Sequence, residues 1–89
     1  MNSIAYLAEA VSKTVLEKRA HLGISQESLS LKAGMHRTFI SKIEKASQNP
    51  TIESIFRLAV AFEIEPEQLV REIKENAVEL SRSRGSDEK

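Results

Sequence analysis

Eighty-nine residues with no cysteine, three glycines and equal numbers of basic and acidic side chains, 13 of each, describe one domain with a single modest core; a chain this size buries only about 60% of its unfolded surface, so a partner subunit is a natural source of further stability. The missing cysteines exclude disulfides, thiolate catalysis and cysteine-based metal sites, and fit a reducing compartment. No apolar run approaches the ~20 residues of a membrane span and no basic, apolar leader opens the chain, so the expectation is a soluble cytoplasmic protein with no membrane partner.

In chain order the pattern predicts five helices and no strand, an all-α fold. From residue 4 to about 21, Ile4, Leu7, Ala8, Val11, Val15 and Leu16 recur at three- and four-residue steps, with no Gly or Pro before Gly23; this is a long first helix. Ser25 is a good N-cap for a second helix ending at Ala33, with Gln26, Glu27 and Ser28 in its first turn and Gly34 free to take the left-handed conformation that stops it. In the third helix Phe39, Ile40 and Ile43 point inward at helical spacing, which leaves Arg37, Thr38, Ser41, Lys42 and Lys45 facing outward. His36 stands either as the cap of this helix or beside a phosphate.

A loop over 46–49 reaches Pro50, and Thr51 caps a fourth helix. Ile52, Ile55, Phe56, Leu58, Ala59 and Phe62 make it the most apolar segment, expected at the centre of the core. Pro66, in the first-turn position it tolerates, and two flanking Glu open a fifth helix running through Leu69, Val70, Ile73, Ala77 and Leu80. From residue 81 onward nothing is left to bury, which divides the chain into a domain over 1–80 and a disordered tail over 81–89.

The zero net charge hides an asymmetry. Residues 13–50 hold seven Lys/Arg against three Glu, a net of +4, while residues 51–89 hold six basic against nine acidic side chains. The cations gather around the third helix, and two short helices joined by a tight turn, the second carrying donors and cations outward, have the layout of a DNA-reading helix-turn-helix. The plainer alternative is a solvated helix face. Enzyme chemistry finds no footing: His21 and His36 are the only histidines, no third ligand accompanies them, and no glycine-rich phosphate loop or nucleophile motif occurs. Glu65, Glu67, Glu72, Glu75 and Glu79 look like a solvated face. No catalytic residue, metal or cofactor is expected.

Residues 16–70 resemble the Cro/repressor-like (XRE) helix-turn-helix family. Ser25-Gln26-Glu27-Ser28-Leu29 and Ala33-Gly34-Met35-His36-Arg37-Thr38-Phe39-Ile40-Ser41-Lys42-Ile43-Glu44 carry the match, extended by Asn49-Pro50-Thr51-Ile52-Glu53 and by residues 62–69. The size and the start of the third helix are most similar to the controller proteins of restriction-modification systems. The resemblance implies a five-helix repressor-like bundle that binds double-stranded DNA at a pseudo-palindromic operator as a homodimer and regulates transcription, its own included, at the nucleoid. An antitoxin or prophage repressor of the same fold is the alternative within the family, with a toxin or RNA polymerase as a further contact. A protein-interaction adaptor that has lost DNA binding is the alternative outside it.

Roles carried over from the family place base reading on Arg37, Thr38, Ser41 and Lys42. Backbone contacts fall on Gln26, His36, Lys45, Ser47, Gln48 and Asn49, with Phe39 either there or packed inward. Arg19 and Glu44 take the positions of a structural ion pair. Ala46 stands where many relatives have Gly, which leaves a left-handed exit from the third helix open. Two apolar stripes, one on the first helix (Ile4, Leu7) and one on the fifth (Leu69, Ile73, Ala77, Leu80), exceed what a five-helix core obviously needs and are expected at a dimer interface. The competing arrangement is a monomer in which the first helix folds back over the fifth.

Overall fold

The computed structural model describes residues 3–85. Among them the chain forms a 3-10 turn over Ser3–Tyr6 and five helices, α1 Leu7–Leu22, α2 Gln26–Ala33, α3 Arg37–Glu44, α4 Ile52–Phe62 and α5 Pro66–Gly85, with no strand. The caps account for most boundaries. Ser25 Oγ accepts the Ser28 N–H at 3.0 Å to start α2, and Thr51 Oγ1 accepts the Ser54 N–H at 3.1 Å to start α4; each satisfies one of the donors a helix start leaves open. Gly34 ends α2 at φ 65°, and a Cβ there would lie 2.9 Å from Arg57 Nη1. The left-handed conformation is what favours glycine at the turn, since the Arg57 guanidinium is the end of a flexible side chain and can give way.

The core is one cluster. Val11 and Val15 of α1, Leu29 of α2, Ile40 and Ile43 of α3, Ile55, Leu58, Ala59 and Phe62 of α4, and Leu69, Ile73 and Ala77 of α5 pack together, with Phe39, Met35, Ile64 and Leu80 partly buried at its edge. Two features correct the sequence reading. Leu69, Ile73 and Ala77, expected at a dimer interface, are buried inside the monomer because α1 and the 3-10 turn lie along α5. The fold-back arrangement is the one adopted. Leu80 is half-buried against the core, Leu7 is exposed, and the side chain of Ile4 lies outside the described residues. Secondly, α4 is only half core: Ile52, Phe56 and Val60 are 75%, 56% and 72% exposed.

The C-terminal boundary also moves. Ser81 is buried, and Arg84 donates to Glu9 Oε1 at 2.6 Å with its guanidinium 5.7 Å from the Tyr6 ring centroid, so residues 81–85 continue α5 instead of beginning a tail. Residues 86–89 lie outside the described residues. The α1–α5 contact is further fastened by Lys18 and Glu72 at 2.7 Å and by Asn76, whose amide donates to the buried Thr14 hydroxyl at 2.8 Å. Burial works to raise the Glu72 carboxyl, but hydrogen bonds from Lys18 and Gln68 and the Lys18 charge outweigh it and hold the group below its ordinary pKa.

Candidate nucleic-acid interface

Helix α3 is seated by its buried face and by both of its ends. Ile40 and Ile43 are fully buried, one turn apart on the face toward α1 and α2. At the start, His36 is the N-cap: its Nδ1 accepts the Thr38 N–H at 3.1 Å. An imidazole accepting at Nδ1 carries its proton on Nε2 when neutral, so the ring holds the helix with one nitrogen and offers a donor with the other. Arg37, Thr38 and Lys42 are exposed along the outer face, Ser41 is intermediate, and Phe39 is half-buried, packed against the core.

At the far end, α3 finishes in a Schellman turn. The Ser47 N–H bonds the Lys42 carbonyl at 3.0 Å and the Ala46 N–H bonds the Ile43 carbonyl at 3.0 Å, with Ala46 left-handed at φ 60°; this is the hydrogen-bond pattern glycine usually completes. The left-handed exit is made without glycine. Ser47 Oγ also donates to the Lys42 carbonyl at 3.1 Å, which commits that hydroxyl to the turn. Lys45, Gln48 and Asn49 are exposed around it.

One carboxylate ties three helices together. Arg19 Nε and Nη2 donate to the two Glu44 oxygens at 2.7 and 3.0 Å, a bidentate pair, and Gln26 Nε2 donates to Glu44 Oε1 at 2.8 Å. Arg19 Nη1 reaches on to the Ile24 carbonyl at 3.0 Å. The Glu44 side chain is only 5% exposed, so each of these donors offsets desolvation of its charge. Gln26 thus joins the clamp, with its second amide hydrogen outside that bond.

The sequence reading missed Ser12. Its hydroxyl donates at 2.6 Å to the backbone carbonyl of Glu44, the last-turn acceptor that the Schellman bonds leave over. The signal was its spacing: Ser12 lies two helical turns before Arg19, on the same face of α1.

Lys13, Lys18, Arg19, Arg57 and Arg84 each meet a carboxylate; Arg37, Lys42 and Lys45 do not, nor do Lys32, Arg71, Lys74 and Arg82 elsewhere among the described residues, but only on α3 and its exit do such cations line one face of a helix held at both ends. Uncompensated cations on a rigidly seated helix face form an anion-seeking surface. No group of three His, Cys, Asp or Glu side chains among the described residues is placed to hold a metal, and no helix among them is long and apolar enough to cross a membrane.

A capped helix, a left-handed turn and a second helix clamped with its cations outward are the parts of a helix-turn-helix nucleic-acid-binding domain. The chain belongs to the helix-turn-helix family, of the XRE type, whose pattern matches residues 15–69. It is 34% identical over 47 residues to the control protein C.BamHI of Bacillus amyloliquefaciens, a match covering 53% of this chain and 58% of that protein. The chain spans little more than half the length of the curated relatives it matches. Among solved structures, the restriction-modification controller C.AhdI from Aeromonas hydrophila superposes with a TM-score of 0.67 at 32% identity, over 73% of this chain and 97% of that one. The controller C.Esp1396I, as a tetramer in complex with its natural 35 base-pair operator, superposes with a TM-score of 0.73 at 29% identity, over 82% of this chain and 96% of that one.

Proposed function

We propose that this chain is a sequence-specific, double-stranded-DNA-binding transcription regulator, working as a homodimer on a pseudo-palindromic operator and acting on its own promoter as the controller of a restriction-modification system. The observation that carries this reading is the outer face of α3, where Arg37, Lys42 and Lys45 have no carboxylate partner among the described residues while the helix beneath them is fixed at both ends. Similarity to a controller captured on its operator supports it.

In this reading the N-terminal end of α3 enters the major groove. Arg37 meets a guanine O6/N7 edge, worth ~1–3 kcal/mol of discrimination, Thr38 touches a thymine methyl, and Ser41 and Lys42 read or brace one turn further on. Lys45, Gln48 and Asn49 hold phosphate, together with His36 through Nε2 and Gln26 through its second amide hydrogen. Ser47 contributes by shaping the exit, and Phe39 by packing. The site of action is the nucleoid, in the cytoplasm.

The test is equilibrium binding to the DNA upstream of its own gene against random duplex of equal length, at several salt concentrations. The parent should prefer the upstream DNA with a log-log salt slope of several units. Arg37→Ala combined with Lys42→Ala should abolish that preference and leave thermal unfolding unchanged; a double variant that binds like the parent removes α3 from the reading role. The second reading, a protein-interaction adaptor, is favoured by the exposed apolar row on α4 and predicts equal, weak binding to both duplexes. A restriction enzyme, a toxin or phage genes beside this one separate controller, antitoxin and prophage repressor.

A further inference from the structure

Helix α1 grips the end of α3 twice, once through a side chain and once through the main chain. Glu44 closes α3, and Arg19 holds its carboxylate at 2.7 and 3.0 Å. A grip on the carboxylate acts on the backbone only through rotatable side-chain bonds, so it leaves the peptide plane after Glu44 free to tilt. The second grip removes that freedom: Ser12 Oγ donates at 2.6 Å to the Glu44 carbonyl oxygen, on the peptide that joins Glu44 to Lys45.

The exit spends its own donors elsewhere. The Lys45 N–H goes to the Ser41 carbonyl, the Ala46 N–H to that of Ile43 and the Ser47 N–H to that of Lys42, so the Glu44 carbonyl is an end-of-helix acceptor served from outside the helix. The exit also lies against the same face of α1. Ser12 and Leu16 line one side of a shallow groove, Lys45 and Ala46 the other.

The placement of one peptide plane decides where the exit goes. Lys45 follows at φ −88° and ψ 3° and Ala46 turns left-handed at φ 60°, so a tilt between Glu44 and Lys45 is carried into every residue from 45 to 49. The start of α3 is insulated from it: Thr38 is held by the His36 cap, and Arg37 lies roughly 10 Å from Glu44 along the helix axis at the usual rise.

We propose that Ser12 is a positioning residue for DNA binding, its hydroxyl fixing the Glu44–Lys45 peptide and thereby aiming Lys45, Gln48 and Asn49 at the DNA backbone. This role rests on the DNA-reading role of α3. A grip on the exit supports affinity for any duplex and leaves the choice among sequences to Arg37 and Thr38. It is also separable from the stability of the fold. Ser12 is half-buried, so water reaches the carbonyl once the hydroxyl is gone, and alanine is the better helix former at a mid-helix position.

Equilibrium binding of the whole chain to the upstream DNA and to random duplex, over a series of salt concentrations, tests the role in a double-mutant cycle with Lys45. Ser12→Ala is expected to weaken binding to both duplexes by about 3–10-fold, to keep the preference between them and the parent's melting, and to lower the log-log salt slope although it removes no charge. Lys45→Ala should lower that slope by about 1, and Ser12→Ala added to it should cost less than about twofold more. Ser12→Thr, which keeps the hydroxyl, should bring binding back to the parent's. If Ser12→Ala loses helix content, the isosteric pair Ser12→Thr and Ser12→Val takes its place, with the loss in the valine variant alone. Amide hydrogen exchange without DNA reads the grip directly: the Ala46 and Ser47 N–H groups should exchange about 3–10-fold faster in Ser12→Ala, with Thr38 at the parent's rate. Unchanged binding by Ser12→Ala, unchanged exchange at Ala46 and Ser47, or an equal cost in the Lys45→Ala background each overturns the positioning role and leaves α3 as the reading helix. A parent with neither preference nor salt slope overturns the DNA-reading role, and the positioning role with it.

Discussion

Helices α3 and α4 are built alike and meet water differently. Each buries one row of side chains, Ile40 and Ile43 in α3 and Ile55, Leu58, Ala59 and Phe62 in α4, and each ends on a left-handed residue that is not glycine, Ala46 or Glu63, both at φ 60°. The outer faces diverge: unpaired cations and hydroxyls on one, an aliphatic-aromatic strip on the other. Inner rows decide that a helix belongs to the fold. What the outer rows present decides whether polyanion or protein is drawn to it.

The largest effects should come from inner positions and be equal for the two helices. Ile40→Ala and Leu58→Ala should each destabilise the chain by ~2–5 kcal/mol in urea unfolding, while Phe56→Ala, measured at concentrations where the chain is monomeric, should change stability by no more than ~0.5 kcal/mol. A costly Phe56→Ala would dissolve the distinction between the rows. Next comes the clamp that only α3 has. Arg19→Ala strands the nearly buried Glu44 carboxylate with Gln26 alone and should cost about 2–3 kcal/mol, together with a loss of operator affinity beyond the fraction unfolded.

The smallest effects should come from the two exits. Replacing Ala46 or Glu63 by Gly relieves a left-handed L-residue and should stabilise by about 0.5–1 kcal/mol each. Thermal melts of both single variants check this, and a loss at either position would mean that its side chain holds the turn by contacts worth more than the strain.

Most of the fold's punctuation was legible because it is local. Ser25, Thr51, Gly34 and Pro66 act on groups within a turn of themselves, and their types announce the geometry they adopt. The third helix could be oriented from the sequence for the same reason, since Phe39, Ile40 and Ile43 leave only one face for the cations. Non-local features were harder. Nothing in the spacing of Leu69, Ile73 and Ala77 says that α1 and the 3-10 turn cover them, and hydrophobic periodicity counts apolar residues without saying which of two rows on α4 faces inward. The α5 row was therefore assigned to a partner, though the structure buries it within the chain, and Ile52 and Phe56 of α4 were assigned to the core, though the structure leaves them exposed. Residues 81–85 were misjudged because the contacts that hold them, Arg84 with Glu9 and Tyr6, join positions more than seventy residues apart. Ser12 carries no chemical flag at all; its hydroxyl matters because of the carbonyl it happens to face.

The unpaired cations of α3 have a kinetic consequence as well. A chain with no net charge experiences little overall pull toward DNA, but with positive charge concentrated over residues 13–50 and negative charge in the C-terminal half it experiences a torque in the duplex field. Approach with α5 leading, whose four acidic and four basic side chains cancel, gains nothing; approach with α3 leading is rewarded only at close range. On the proposed DNA-reading role, such a molecule should turn α3 toward the duplex without clinging to every phosphate it passes, and its residence on unrelated sequence should be brief.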